Sequence, residues 1–317
     1  MNPSNSPYIS IVVPLFNEAG SLFQVVNDIR LVLGDLAHPF EIILVDDGSC
    51  DNSWQEIIKL AQRHPEVKGI RFTRNFGKEA AILAGLRHSK GDAVVIMDAD
   101  LQHPPALMKT MIKLWQENGV DVVHAVKSLR GNEPFLKKFF ARVFYKTMKA
   151  LAGLDLEGAT DFKLLDRKVV DQYLSLPERL RFFRGIVTWF GHRQVQVKFV
   201  PGERSAGKTK WNNLSLFRLG FSALFAFTSL PLQIVTILGV FTFITSIVLG
   251  IVTMIKKFTG GAAEGFTTII ILILFIGSTL MISLGLIGQY IAMIYEEVKQ
   301  RPPYVVEQHL KTEDYKR

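Results

Sequence analysis

The chain of 317 residues carries 37 Lys and Arg against 29 Asp and Glu, a formal charge of +8, and one cysteine, Cys50. A single cysteine excludes an intrachain disulfide framework and fits a reducing compartment; the basic balance points to nucleic acid, an anionic membrane face or phosphorylated substrates. The opening MNPSNSPYIS has neither the basic nor the apolar region of a signal peptide, so none is expected.

YISIVVPLF (8–16) is a β-branched run that ends at Asn17-Glu18, after which Ser21 caps the helical pattern LFQVVNDIRLVLGDL (22–36). EIILVDDGS (41–49) reads as a second strand and WQEIIKLAQRH (54–64) as a second helix. VKGIRF (67–72), KEAAILAGLRHS (78–89), AVVIM (93–97), a helix over about 105–118 and VDVVHAV (120–126) continue the alternation. This order predicts an α/β fold with a mostly parallel, doubly wound sheet. In such a sheet ligands bind beyond the carboxyl ends of the strands.

Those ends are acidic. The first strand delivers Pro14, Asn17 and Glu18, the second Asp46 and Asp47, and the fourth Asp98 and Asp100. One such residue would be an ordinary turn or cap. Acids at three strand ends in a basic chain instead predict a hard divalent cation, with Asp98, Asp100 and Gln102 holding Mg²⁺ or Mn²⁺ and leaving positions for a diphosphate.

Residues 127–149, KSLRGNEPFLKKFFARVFYKTMK, hold seven basic residues and one acid interleaved with Phe, Val, Leu and Tyr. As a helix this has a basic and an aromatic face, the pattern of an interfacial helix, and 211–227, WNNLSLFRLGFSALFAF, reads as a second. Nucleic-acid binding is disfavoured, because the basic residues accompany bulky apolar side chains rather than isolated stacking aromatics. Between them Gly202–Thr209 matches the P-loop pattern. A P-loop nucleotidase is rejected: no strands follow the motif, Pro201 interrupts the approach, and the acidic strand precedes it. The segment is expected to be a mobile phosphate-binding loop in which Arg204, Lys208 and Lys210 supply charge.

Leu230–Ile255 and Gly265–Tyr295 contain no charged residue, and each exceeds the roughly 20 residues that span a bilayer. The link KKFTGGAAE makes them a hairpin, and Lys and Arg outside it put both chain ends in the cytoplasm. Gln233, Thr236, Thr242, Ser246 and Gln289 within the spans could pair helices in a homo-oligomer. The tail from Arg301 reads either as a disordered end or as a strand-like arm that swaps onto a neighbour.

IVVPLFNE, VDDGSCDNS, NFGKEAAILAG, MDADLQHPP, GATDFKLLDR, RFFRGIVTWFG and ERSAGKTKW occur in an order that resembles family-2 glycosyltransferases of the GT-A fold. Within these the chain is similar to the polyprenyl-phosphate glycosyltransferases, the group of dolichol-phosphate mannose synthase and the bacterial bactoprenol glucosyl transferases. The resemblance covers residues 8 to about 300. It implies a cytoplasmic catalytic domain over 1–210, an interfacial helix at 211–229, a transmembrane hairpin at 230–295 (about 230–255 and 266–295) and a cytoplasmic tail at 296–317, all at the inner membrane.

It implies that Pro14, Asn17, Glu18, Asp46 and Asp98 line the nucleotide pocket, and that Asp98, Asp100 and Gln102 bind metal and diphosphate. Asp161 of the T-D-F motif would lie beside sugar and acceptor, Arg204 and Lys208 would belong to a loop closing on the donor, and Asp161 and Asp100 would be catalytic. Lys127, Arg130, Lys137 and Lys138 are candidates for the acceptor phosphate. The expected reaction is metal-dependent, inverting transfer of one sugar, glucose from UDP-glucose, to undecaprenyl phosphate. GDP-mannose or another UDP-sugar is the alternative donor, and a non-catalytic membrane scaffold the alternative of another class. Processive synthases of the wider family carry Q-x-x-R-W and many more spans, so two spans imply single transfer.

Overall fold

The computed structural model describes residues 6–36, 38–127, 146, 149–150, 153, 158–179, 181–200, 230–259 and 265–310. The chain divides into one unit of residues 1–212 and 301–317 and a second of residues 213–300.

In the first unit, β1 (Ile9–Leu15), β2 (Phe40–Asp46), β3 (Val67–Phe72) and β4 (Ala93–Ile96) are connected by α1 (Leu22–Gly34), α2 (Ser53–Arg63) and α3 (Lys78–His88). Then follow α4 (Leu107–Asn118), β5 (Val122–Lys127), β6 (Ala159–Asp166), α5 (Arg167–Ser175), α6 (Phe183–Trp189) and β7 (Gln194–Phe199), and, after the second unit, β8 (Val306–Leu310). The eight strands form one sheet in the order β7-β5-β6-β4-β1-β2-β3-β8. β1 pairs in parallel with β2 and β4, β2 with β3, and β5 with β7. β6 is inserted antiparallel between β4 and β5, and β8 is antiparallel on β3. The sheet is therefore mixed but mostly parallel.

Burial follows from composition. Every residue of β1 is buried, as a central parallel strand covered on both faces requires. Helix α1 buries Leu22, Val25, Val26, Ile29 and Leu33, the spacing of one helical face, and α2 buries Trp54, Ile57, Leu60 and Ala61. Helix α3 is buried from Ala80 to Leu86, and its run of small residues brings it against β1. At Gly85 a Cβ would stand 2.1 Å from Val12 Cγ1, so only glycine permits this approach. At Gly48, which ends the β2 turn at φ +69°, a Cβ would meet the Arg74 backbone at 2.4 Å.

The second unit holds α7 (Leu230–Phe258) and α8 (Phe266–Val298), which pack on each other. Both are long and apolar enough to cross a membrane, over Val235–Ile255 and Leu272–Val298. Thr236 donates to Leu232 O and Thr242 to Gly239 O of the same helix, so these two hydroxyls are satisfied locally. The P-loop-like segment 202–209, the expected interfacial helix 211–229, residues 128–145 of the expected basic helix and the tail beyond Leu310 lie outside the described residues. Residues 306–310, read from sequence as a disordered end or a swapping arm, form β8 on the sheet of their own chain.

Candidate active site

Beyond β4 the chain turns through Met97–Gln102. Leu101 sits at φ +60°, a left-handed conformation that a bulky side chain avoids and that persists only where its surroundings enforce it. Two contacts enforce it. The Gln102 amide donates to Asp100 Oδ1 at 3.1 Å, and the Asp98 amide donates to His103 Nδ1 at 3.2 Å. The buried His103 ring stacks on Phe162 of β6, centroids 5.0 Å apart. The turn carrying Asp98 and Asp100 is thus fastened to the strand carrying Asp161.

Asp161 is buried, and it meets two cations. Arg184, in the first turn of α6, donates Nε to Oδ1 at 2.6 Å and Nη2 to Oδ2 at 2.8 Å, a bidentate pair. Lys78, the first residue of α3, donates to Oδ2 at 2.5 Å. The same ammonium lies 2.5 Å from Asp98 Oδ1, so Lys78 bridges the two acids. Burial alone would raise the Asp161 carboxyl, but Lys78 and Arg184 hold it well below the usual carboxylate range. Asp98 is likewise lowered, burial being outweighed by Lys78 and then His103. Burial opposes the Lys78 charge, yet Asp161 and Asp98 raise its pKa above the ordinary lysine value.

Two further acids fix α3. The Asp47 carboxylate accepts from Phe76 N at 2.7 Å and Gly77 N at 2.9 Å, tying the start of α3 to the end of β2. Burial pushes Asp47 up to about 6. Glu79 accepts from Phe183 N at 3.0 Å, which couples α3 to α6 and so helps bring both Lys78 and Arg184 to Asp161. Burial, then the Asp161 charge, pushes Glu79 up to about 7.

A second cluster lies at the ends of β1 and β2. Asn17, at φ +57°, accepts on Oδ1 from Cys50 N at 2.9 Å and Asp51 N at 3.3 Å, while its own amide donates to Ser49 Oγ. The Glu18 amide donates to Ser53 Oγ at 3.0 Å. Pro14 is buried opposite Val45. Asp46 is fully buried; Oδ1 accepts from Ser49 N at 2.9 Å, and Oδ2 has no hydrogen-bond partner among the described residues.

Of the residues singled out from sequence, the structure brings Asp98 and Asp161 together through Lys78 and groups Asp100 with Gln102. Lys127 Nζ donates to Gln102 Oε1 at 3.3 Å, which puts it at this turn. Arg130, Lys137, Lys138, Arg204 and Lys208 lie outside the described residues. Sequence reasoning gave no role to Lys78, Glu79, His103 or Arg184. All four stand in stretches already singled out, Lys78 and Glu79 in NFGKEAAILAG, His103 in MDADLQHPP and Arg184 in RFFRGIVTWFG, but nothing local says that those stretches meet.

For a metal, the turn offers oxygen only: the Asp98 and Asp100 carboxylates and the Gln102 amide. Among the described residues no three His, Cys, Asp or Glu side chains gather in one group. Two carboxylates and an amide fit Mg²⁺ or Mn²⁺, ions that commonly complete their shell with substrate phosphates and water.

Comparison with known proteins shows the family. Residues 10–174 match the sequence profile described as Glycosyl transferase family 2. An uncharacterized glycosyltransferase of Synechocystis sp. is 39% identical over 94% of this chain and 94% of its own. A prophage-derived bactoprenol glucosyl transferase of Shigella flexneri is 37% identical over 94% of this chain and 97% of its own. A prophage bactoprenol glucosyl transferase homolog of Escherichia coli is 36% identical over 94% and 98%.

Proposed function

This chain belongs to glycosyl transferase family 2 and is a glycosyltransferase, and we propose that it transfers one sugar, glucose from UDP-glucose, to a polyprenyl phosphate such as undecaprenyl phosphate at the cytoplasmic face of the inner membrane. The observation that carries this reading is the buried Asp161 carboxylate between Lys78 and Arg184, next to the Asp98–Gln102 turn. The names of the bactoprenol glucosyl transferases support the sugar and the acceptor class. The two apolar helices support a membrane anchor with both chain ends cytoplasmic.

The nucleophile is an oxygen of the acceptor phosphate, whose second pKa near 6 leaves it mostly ionised at neutral pH. It attacks the anomeric carbon as the bond from that carbon to the nucleoside diphosphate oxygen breaks, so the configuration inverts. No strong base is required. Asp161, held as an anion by two cations, is suited to face the positive charge that develops on the sugar rather than to remove a proton. Lys78 and Arg184 keep it ionised and bring positive charge to phosphate oxygens. Pro14, Asn17, Glu18 and Asp46 line the nucleoside pocket, and Arg204 and Lys208 close over the donor. Lys127, Arg130, Lys137 and Lys138 receive the acceptor phosphate. A divalent cation on Asp98, Asp100 and Gln102 would offset the charge of the departing diphosphate.

The test is transfer of labelled glucose from UDP-glucose into organic-extractable lipid by the purified chain with undecaprenyl phosphate and Mg²⁺ or Mn²⁺. Label that disappears with chelator and in Asp100→Asn is the expected result. Label only from GDP-mannose or another UDP-sugar replaces the donor. No transfer from any nucleotide sugar by folded protein rejects the reading.

A further inference from the structure

Lys163 lies on β6 two positions beyond Asp161, so both side chains stand on the same face of the sheet. It is fully buried, and its amine nitrogen meets the His124 imidazole at Nδ1 rather than a carboxylate. His124 is opposite it on β5, and His124 Nε2 lies 2.5 Å from Gln194 Oε1 of β7. Gln194 Nε2 donates to Thr188 O at 3.4 Å, so the Gln194 oxygen is the atom turned to the ring. His124 Nε2 therefore carries the hydrogen, and Nδ1 carries the lone pair that receives Lys163. Burial and the Lys163 charge take His124 to about 3, so the ring is neutral. This line of bonds gives Lys163 an acceptor for its N–H but no counter-charge.

The counter-charge comes from Asp161. Burial brings the Lys163 amine down to about 7; Asp161 favours a proton on it, and the Arg184 guanidinium of α6 opposes one. The neighbouring elements face this stretch with the apolar Ile96 on β4 and the buried Tyr173 on α5, which burial and the Glu79 charge keep protonated. Helix α3 contributes Lys78, on Asp161, and Glu79, on Phe183 N. A donor diphosphate that draws Lys78 and Arg184 onto its own oxygens removes the cation that opposes a proton on Lys163. The Asp161 anion that favours the proton stays.

We propose that Lys163 is a positioning residue for Asp161, a standby counter-ion that takes up a proton from solvent at Nζ and holds the carboxylate when the donor diphosphate draws Lys78 and Arg184 away. This rests on the reading above, in which Asp161 faces the sugar and the two cations meet phosphate oxygens. It gives a buried lysine without a carboxylate partner a reason to stand beside the acid.

The experiment is calorimetric titration of the full chain in detergent with UDP-glucose and Mg²⁺, and with GDP-mannose, at about pH 7.5 in two buffers of unlike ionisation enthalpy. The difference in heat between the buffers counts protons, and neither donor titrates near neutral pH. The parent should take up about half a proton more per donor bound than Lys163→Met. Glu79 shares the linkage, so the pair is repeated in the Glu79→Gln background, where Lys163→Met should bring the uptake near zero. Lys163→Gln keeps a donor for His124 Nδ1 without the charge; it should lose the same uptake. Its turnover should fall about tenfold, with the donor KM within about twofold of the parent's. A merely structural Lys163 would lower Tm and leave proton uptake as it was. Parent-like uptake in the folded variants, proton release by the parent, or parent-like turnover of Lys163→Gln each overturns the proposal while the glycosyltransferase reading stands. A parent chain that binds neither donor overturns the donor reading and this inference with it.

Discussion

The ammonium of Lys78 and the carboxylate of Asp161, 83 positions apart in sequence, meet at 2.5 Å, and Asp98 closes on the same nitrogen at 2.5 Å. Lys78→Met leaves the buried Asp161 and the part-buried Asp98 without the ammonium that bridges them, with Arg184 still paired to Asp161. Turnover should fall by about 10²- to 10³-fold, the usual loss for one preorganised charge in an active site. The acid limb of the pH–rate profile should also move to higher pH as Asp161 becomes harder to ionise. A profile shape identical to the parent's would show that Lys78 does not hold Asp161.

Glu79 ties α3 to α6 through Phe183 N, and its carboxyl is pushed up to about 7 from an ordinary 4.5. A carboxyl raised on folding contributes stability that is complete below pH 4.5 and lost as pH rises through 7. Glu79→Gln keeps the acceptor and removes the titration. Its Tm should match the parent's near pH 5 and exceed it by pH 8, by up to about 2 kcal/mol in stability. A gap that shrinks between pH 5 and 8 has the wrong sign for this account.

Tyr304 stacks on Phe72 of β3 at 4.8 Å between centroids and 12° between planes, and the Arg87 guanidinium lies 5.7 Å from its ring. Tyr304→Ala removes the ring that seats the start of β8. We expect a loss of about 2–4 kcal/mol by thermal unfolding, together with faster proteolysis around residues 300–310. Unaltered protease resistance would mean that the strand pairing alone secures β8.

At Gly85 an added Cβ would stand 2.1 Å from Val12 Cγ1, on the central strand of the sheet. Gly85→Ala should cost about 1–3 kcal/mol as α3 is forced from the sheet, and activity should fall because Lys78 starts that helix. In the Val12→Ala background the same change should cost much less, a non-additivity that a double-mutant cycle measures.

The five strands β1 to β5 were legible because each is a short β-branched run with an acid or turn residue at its end. β6 was not. ATDFKLLD places Asp161 and Lys163 at buried alternate positions, so its polar residues hide the strand pattern. They are tolerated there because each has partners from elsewhere: Lys78 and Arg184 for the acid, His124 for the lysine. Burial lowers Lys163 to about 7, and burial with the Lys163 charge takes His124 to about 3. β8 was half legible. RPPYVVEQHL reads either as a disordered end or as a strand-like arm, and only β3, more than 230 positions earlier, shows which edge the strand completes. The acids of the candidate site were visible as strand ends. The cations that govern them were not, because helix N-termini from distant segments bring them in.

β8 also sets an order of synthesis. By the time residues 306–310 leave the ribosome, both long apolar helices have been made. Until then Gly69–Phe72 have β2 on one side and no strand on the other, and the Trp54 indole lacks Gln308. An unfinished edge of this kind is a template for pairing with other chains. A nascent chain arrested in its apolar helices is thus an aggregation hazard, and synthesis of those helices is the step on which completion of the sheet waits.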